Sequence, residues 1–85
     1  MHTVELLEHA LSLANRLGYE VRQGWLGGGG GCCELRGRKV LFLDLALAPP
    51  EQLDDVLSAL CREPEVTALP MPGELRELLK LRKAA

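Results

Sequence analysis

The chain has 85 residues, with 10 lysines and arginines against 12 aspartates and glutamates, for a net charge of −2. A chain this short makes one domain, 1–85, with a single modest core and no room for a second core or a deep enclosed cavity. Hydrophobic residues at 47% and charged residues at 26% exclude intrinsic disorder, and without a basic excess neither nucleic acid nor an anionic membrane is an expected partner.

Residues 4–17 read as a helix with Thr3 as its cap, because Leu6, Ala10, Leu13 and Leu17 recur at helical spacing and Leu7, Leu11 and Ala14 widen the stripe. Gly18 stands where a helix stops. Tyr19, Val21 and Trp25 alternate with Glu20 and Arg22, the period of a half-buried strand over 19–26. Five consecutive glycines, 27–31, form a loop. Strands over 32–36 and 40–47 follow, joined by a type II′ hairpin turn at Gly37-Arg38. That register opposes Leu35 to Val40 and Cys33 to Phe42 on a wholly apolar face. Cys32, Glu34, Arg36, Leu41, Leu43 and Leu45 share the mixed opposite face. Pro49-Pro50 opens a helix over 50–62 with Leu53, Val56, Leu57 and Leu60 on one stripe, and Glu63-Pro64 stops it. Residues 69–73 form an extended linker, and a last short helix covers 74–83.

The expected fold is therefore α+β: an N-terminal helix, a three-stranded antiparallel meander, then two helices packed on its apolar face. In that arrangement Leu41, Leu43 and Leu45 lie outside the helical layer. They need cover from the C-terminal helix or a second chain, so a homodimer interface is expected there.

Few residues point to chemistry. The glycine loop leads into a strand, not a helix N-terminus, and no Gly-Lys-Ser/Thr follows, so phosphate binding at 27–31 is the weaker alternative to a plain connection. Cys32-Cys33 has neither the redox nor the zinc spacing, and in a strand the two thiols face opposite ways. Cys33 is expected in the core, leaving Cys32 as the more reactive thiol. A thiol or metal site from Cys32 or Cys33 with Cys61 and His9 is the alternative to ordinary buried cysteines. Trp25 either caps the core or stacks on a ligand beside the glycines. Arg22, Arg36, Arg38 and Lys39 can gather on the outer sheet face, where Glu20 and Glu34 would pair with them. Asp44, inside an apolar strand, must find a donor.

The opening Met1-His2-Thr3-Val4-Glu5 lacks the features of a secretory signal, the apolar run 40–43 is too short to span a membrane, and three cysteines make no disulfide framework. A cytoplasmic setting is expected.

Leu17-Gly18-Tyr19-Glu20-Val21-Arg22, the glycine run, Cys33-Glu34-Leu35-Arg36-Gly37 and Pro50-Glu51-Gln52-Leu53 together resemble a set of short uncharacterised bacterial proteins. That resemblance covers most of the chain and implies no activity. The order helix, three strands, helix is also similar to a minimal zincin-like core, but the helix 50–62 carries no histidine, so metallopeptidase chemistry is not expected. With no catalytic constellation and no cofactor motif, the expected role is a small binding or interaction module. Its surface would be Trp25, Gly28, Gly29, Gly30, Cys32 and Arg36, and its partner a second copy or another protein.

Overall fold

Leu6, Leu7, Ala10, Leu13 and Ala14 form the buried stripe of helix α1, Thr3–Arg16. The structure, a computed structural model, describes residues 2–25, 27 and 30–84, the last two as backbone only. The cap of α1 falls on His2, which makes no side-chain cap bond, and Thr3 is already helical. The helix ends in a Schellman arrangement: the Tyr19 N–H donates to the Ala14 carbonyl at 3.0 Å and the Gly18 N–H to that of Asn15 at 3.1 Å.

Strands β1 (Glu20–Gly24), β2 (Gly31–Leu35) and β3 (Arg38–Asp44) follow, then α2 (Pro49–Leu60), a short 3₁₀ helix (Pro64–Ala68) and α3 (Gly73–Ala84). The α+β class is as expected, but the sheet is not a meander. Its order is β1-β3-β2. β1 pairs with β3 in parallel, Val21 beside Leu41 and Gln23 beside Leu43. β2 pairs with β3 antiparallel, Cys33 opposite Val40 and Leu35 opposite Arg38. The connection from β1 to β2 must therefore step across the C-terminal end of β3, a gap of two strand spacings or about 10 Å. A tight hairpin cannot span it; the glycine-rich segment can.

The hairpin turn is Arg36-Gly37, with φ of 52° and 79°, the type I′ pattern. This replaces the expected turn at Gly37-Arg38 and moves the register by two residues. An even shift leaves each side chain on its expected face. What changes is the face that the helices cover. α1 and α2 pack side by side over Leu41 and Leu43, with Val21 and Cys32 at the margin, and α3 leans on both helices. Cys33 and Leu35, expected beneath helices, are exposed.

The core joins Leu41, Leu43, Leu60, Val56, Val66 and Leu75, each at most 2% exposed. Burying a leucine this fully contributes roughly 1.5–3 kcal/mol. Leu41 and Leu43 are therefore core residues of the chain itself and are not available as a dimer interface. Leu45 lies half-buried in the turn after β3, which ends at Asp44 and does not run on to residue 47. Among the described residues no helix is long and apolar enough to cross a membrane.

Candidate functional site

With the helices on one side, the other side of the sheet is open. β3 presents Arg38, Val40 and Phe42 there, flanked by Glu20 and Arg22 from β1 and by Cys33 and Leu35 from β2. Val40 stays at 1% exposure because Glu20 and Cys33 sit directly beside it on the two flanking strands. Leu35 is 52% exposed. Glu20, Arg22, Leu35, Arg36, Arg38 and Val40 line a shallow depression of about 620 Å³. Arg22 Nε donates to Glu20 Oε2 at 3.3 Å. Among the described residues Arg36 and Arg38 have no ion-pair partner. The expected cross-strand pairing of these cations with Glu20 and Glu34 is thus not seen among the described residues: Arg22 meets Glu20 within its own strand. Lys39 leaves the group, because its side chain lies on the helical face.

Arg36 carries a second signal. It is the only non-glycine residue with positive φ among those described, at a turn position where Asn, Asp or Gly fits without strain. Arg36→Asn is expected to raise Tm by several degrees, equivalent to about 1 kcal/mol, on thermal unfolding.

On the helical side, at the margin, a polar cluster ties three elements together. The Tyr19 hydroxyl donates to Glu63 Oε1 at 2.9 Å. Lys39 Nζ lies 2.9 Å from Oε1 and 3.1 Å from Oε2 of the same carboxylate, and 5.6 Å from the centre of the Tyr19 ring. The hydrogen bond from Lys39 holds the Glu63 carboxyl below its ordinary range, against the opposing effect of burial, and the bond from Tyr19 adds to it. Burial first, then the bond to Glu63, pushes the Tyr19 phenol up to about 12. Beside this cluster Arg62 Nη1 donates to Cys32 Sγ at 3.4 Å. Neither Glu63 nor Tyr19 was singled out by sequence as part of a site, since the two are 44 residues apart and no spacing links them.

A third group gathers at the end of β3. Asp44 is fully buried, and its Oδ1 accepts the Ala46 N–H at 2.9 Å, an Asx turn that ends the strand ahead of α2. Gly30 packs into this corner. A Cβ on it would lie 3.0 Å from Asp55 Oδ2, 3.2 Å from the Phe42 carbonyl and 3.4 Å from the Asp44 Cβ. Burial, then repulsion from Asp54, Asp44 and Glu51, raises the Asp55 carboxyl, partly offset by Arg82. Gly30→Ala must displace backbone as well as a side chain, and is expected to cost about 1–2 kcal/mol in urea unfolding.

The remaining expected residues are scattered. Trp25 is 78% exposed and does not cap the core. It lies at the opposite end of β3 from Arg36, about 20 Å away along the strand. Gly28 and Gly29 lie outside the described residues. Cys33 is exposed on the open face, and Cys32 is half-buried beside Arg62. Cys61 is half-buried with Sγ 3.9 Å from the Leu79 carbonyl, and His9 is exposed on α1. Among the described residues no three His, Cys, Asp or Glu side chains are grouped to hold a metal ion.

The chain matches no protein-family model, no curated protein and no solved structure.

Proposed function

We propose that the protein is a non-catalytic binding module whose contact surface is the open face of the sheet. One observation carries this reading: the helices pack on one side of the sheet, and the other bears Phe42 and Leu35 beside Arg36 and Arg38, which among the described residues have no ion-pair partner. A sheet face with an apolar strip and unpaired guanidinium groups is a surface from which water can be displaced and to which charge gives orientation. This moves the expected surface away from the glycine loop and Cys32 and keeps Arg36. The partner in this reading is another protein, since Leu41 and Leu43, two of the three leucines that pointed to a second copy, belong to the chain's own core.

The test uses a photo-crosslinker on Cys33, in a Cys32→Ser, Cys61→Ser background, against the same group at position 8 on α1. Both variants are exposed to lysate of the native host. A product formed from Cys33 but not from position 8, competed by unlabelled protein but not by Arg38→Glu protein, supports the reading. Equal products from both positions, or none from Cys33, removes it.

The thiol alternative rests on the contact between Arg62 and Cys32, in a depression of about 200 Å³ shared with Tyr19, Cys33 and Lys39. It predicts that Cys32 alkylates faster than the more exposed Cys33. The binding-module reading predicts the reverse, Cys33 first and the half-buried Cys32 and Cys61 later, as mapped by mass spectrometry after timed iodoacetamide treatment.

A further inference from the structure

We propose that the open face takes an extended acidic segment of a partner protein, with a carboxylate side chain on Arg36 and Arg38 and apolar side chains over Phe42 and Leu35. This rests on the reading of that face as the binding surface, and adds the chemistry of what binds.

Charge gives the sign of the partner. The chain as a whole is net negative, yet at the hairpin end of this face Arg36 and Arg38 have no carboxylate partner among the described residues and Glu20 is already engaged by Arg22. A second copy presenting the same face would set arginines against arginines, which disfavours self-association there. Nucleic acid is disfavoured by the small number of unpaired cations and by the overall acidity.

Strain points to the same residue. Arg36 occupies a left-handed backbone position that stability alone would fill with Asn or Gly. A long cation kept at such a position is accounted for by contact with an anionic group.

The apolar strip decides what else the ligand carries. Exposed ion pairs contribute little by themselves because water and salt screen them, so a simple anion has no firm hold here. A ligand that also covers the half-buried Phe42 and the exposed Leu35 gains from removing apolar surface from water. Spacing fixes its form. Arg38, Val40 and Phe42 follow one another on one face of β3 at every second residue, about 6.6 Å apart. An extended peptide lying along β3 repeats its side chains at the same interval. Val40 is covered, so the matching pattern is an acidic residue over Arg38 followed four residues later by an apolar one over Phe42, or its reverse.

The experiment is selection of a displayed library of random dodecapeptides on the 85-residue chain, with the Arg36→Glu/Arg38→Glu double variant as counter-target. Circular dichroism checks that the double variant is folded, and an Arg36→Gln/Arg38→Gln variant serves if it is not. The expected result is a family of peptides with Asp or Glu at that spacing from Leu, Val or Phe. They should protect Cys33 from alkylation, bind the variant about tenfold or more weakly, and lose affinity as salt is raised. Peptides that protect Cys33 but are not acidic, or that bind the variant equally, overturn the inference while leaving the open face as the binding surface. Absence of any family that protects Cys33 overturns both. A concentration-dependent dimer in sedimentation that protects Cys33 and is lost in the variant overturns the inference in favour of a second copy.

Discussion

Leu43→Glu is expected to abolish folding, and Leu43→Ala to cost about 2–5 kcal/mol. Leu43 lies on the central strand under α1 and α2 and is 2% exposed. A chain of this size has a total stability of roughly 4–13 kcal/mol. An ionised carboxylate in that apolar layer has no cation to meet and costs several kcal/mol in lost hydration alone, on top of the lost packing. Far-UV circular dichroism and urea titration check both variants. Leu81→Glu is the control: Leu81 is 67% exposed on α3, and a change there should move stability by no more than about 0.5 kcal/mol. A Leu43→Glu chain that remained a folded monomer would return Leu43 to a surface and revive the dimer interface at Leu41, Leu43 and Leu45.

Removing the Glu63 carboxylate is the second large effect. Glu63→Ala is expected to cost about 2–3 kcal/mol at neutral pH and Tyr19→Phe about 1–2 kcal/mol. The larger part of the Glu63 loss comes from Tyr19, 8% exposed, whose hydroxyl is left without its acceptor. Lys39, with its side chain 44% exposed, keeps water. The pH dependence has a definite sign. Glu63 titrates below its ordinary value in the folded chain, chiefly because of Lys39. Its contribution is therefore present above the unfolded carboxylate range and lost as pH falls through the folded value. At the alkaline end the unfolded Tyr19 phenol ionises near 10.0 and the folded one at about 12. Across that window the unfolded state gives up its proton first, so stability falls by up to about 2–3 kcal/mol. Lys39, raised by its bond to Glu63, acts in the same direction: its contribution is full below the unfolded value and lost as pH rises through the folded one. Urea midpoints at neutral pH and through the alkaline window, for the unaltered chain and Tyr19→Phe, read this directly. An unchanged alkaline slope in Tyr19→Phe protein would sink the assignment.

The helices were legible because their information is local. The stripe Leu6, Ala10, Leu13 and the stripe Leu53, Val56, Leu57, Leu60 each announce one buried side, and Pro49-Pro50 marks a start. The strands were legible as alternation, to within a few residues. Their arrangement was not. Short connections favour a meander, and nothing local to 20–24 says that these residues pair with 40–44 in parallel. The choice of covered face failed for a related reason. Both faces of β3 are apolar, Val40 and Phe42 on one and Leu41 and Leu43 on the other, so alternation alone cannot choose between them. Val21 held the answer. It is the one aliphatic side chain of β1, and once it lies beside Leu41 that face becomes the core and leaves Arg22 with Arg38 outside. The Arg36-Gly37 turn escaped because an arginine with positive φ contradicts turn propensity. At the site, Arg36 was legible as a candidate and the Tyr19–Glu63–Lys39 group was not, since it exists only after the chain has folded.

Because among the described residues β1 and β2 each bond to β3 and not to each other, neither has its partner during synthesis until residues 38–44 arrive. The first 37 residues hold two strands that are not partners, and a hydrophobic helix stripe with no sheet to cover. Synthesis of β3 then supplies the template for both neighbours at once, and the local β2–β3 hairpin can close before the longer-range docking of β1. Any pause or truncation between Leu35 and Arg38 therefore leaves β1 and β2 without their native pairing, dependent on whatever shields exposed apolar segments during translation.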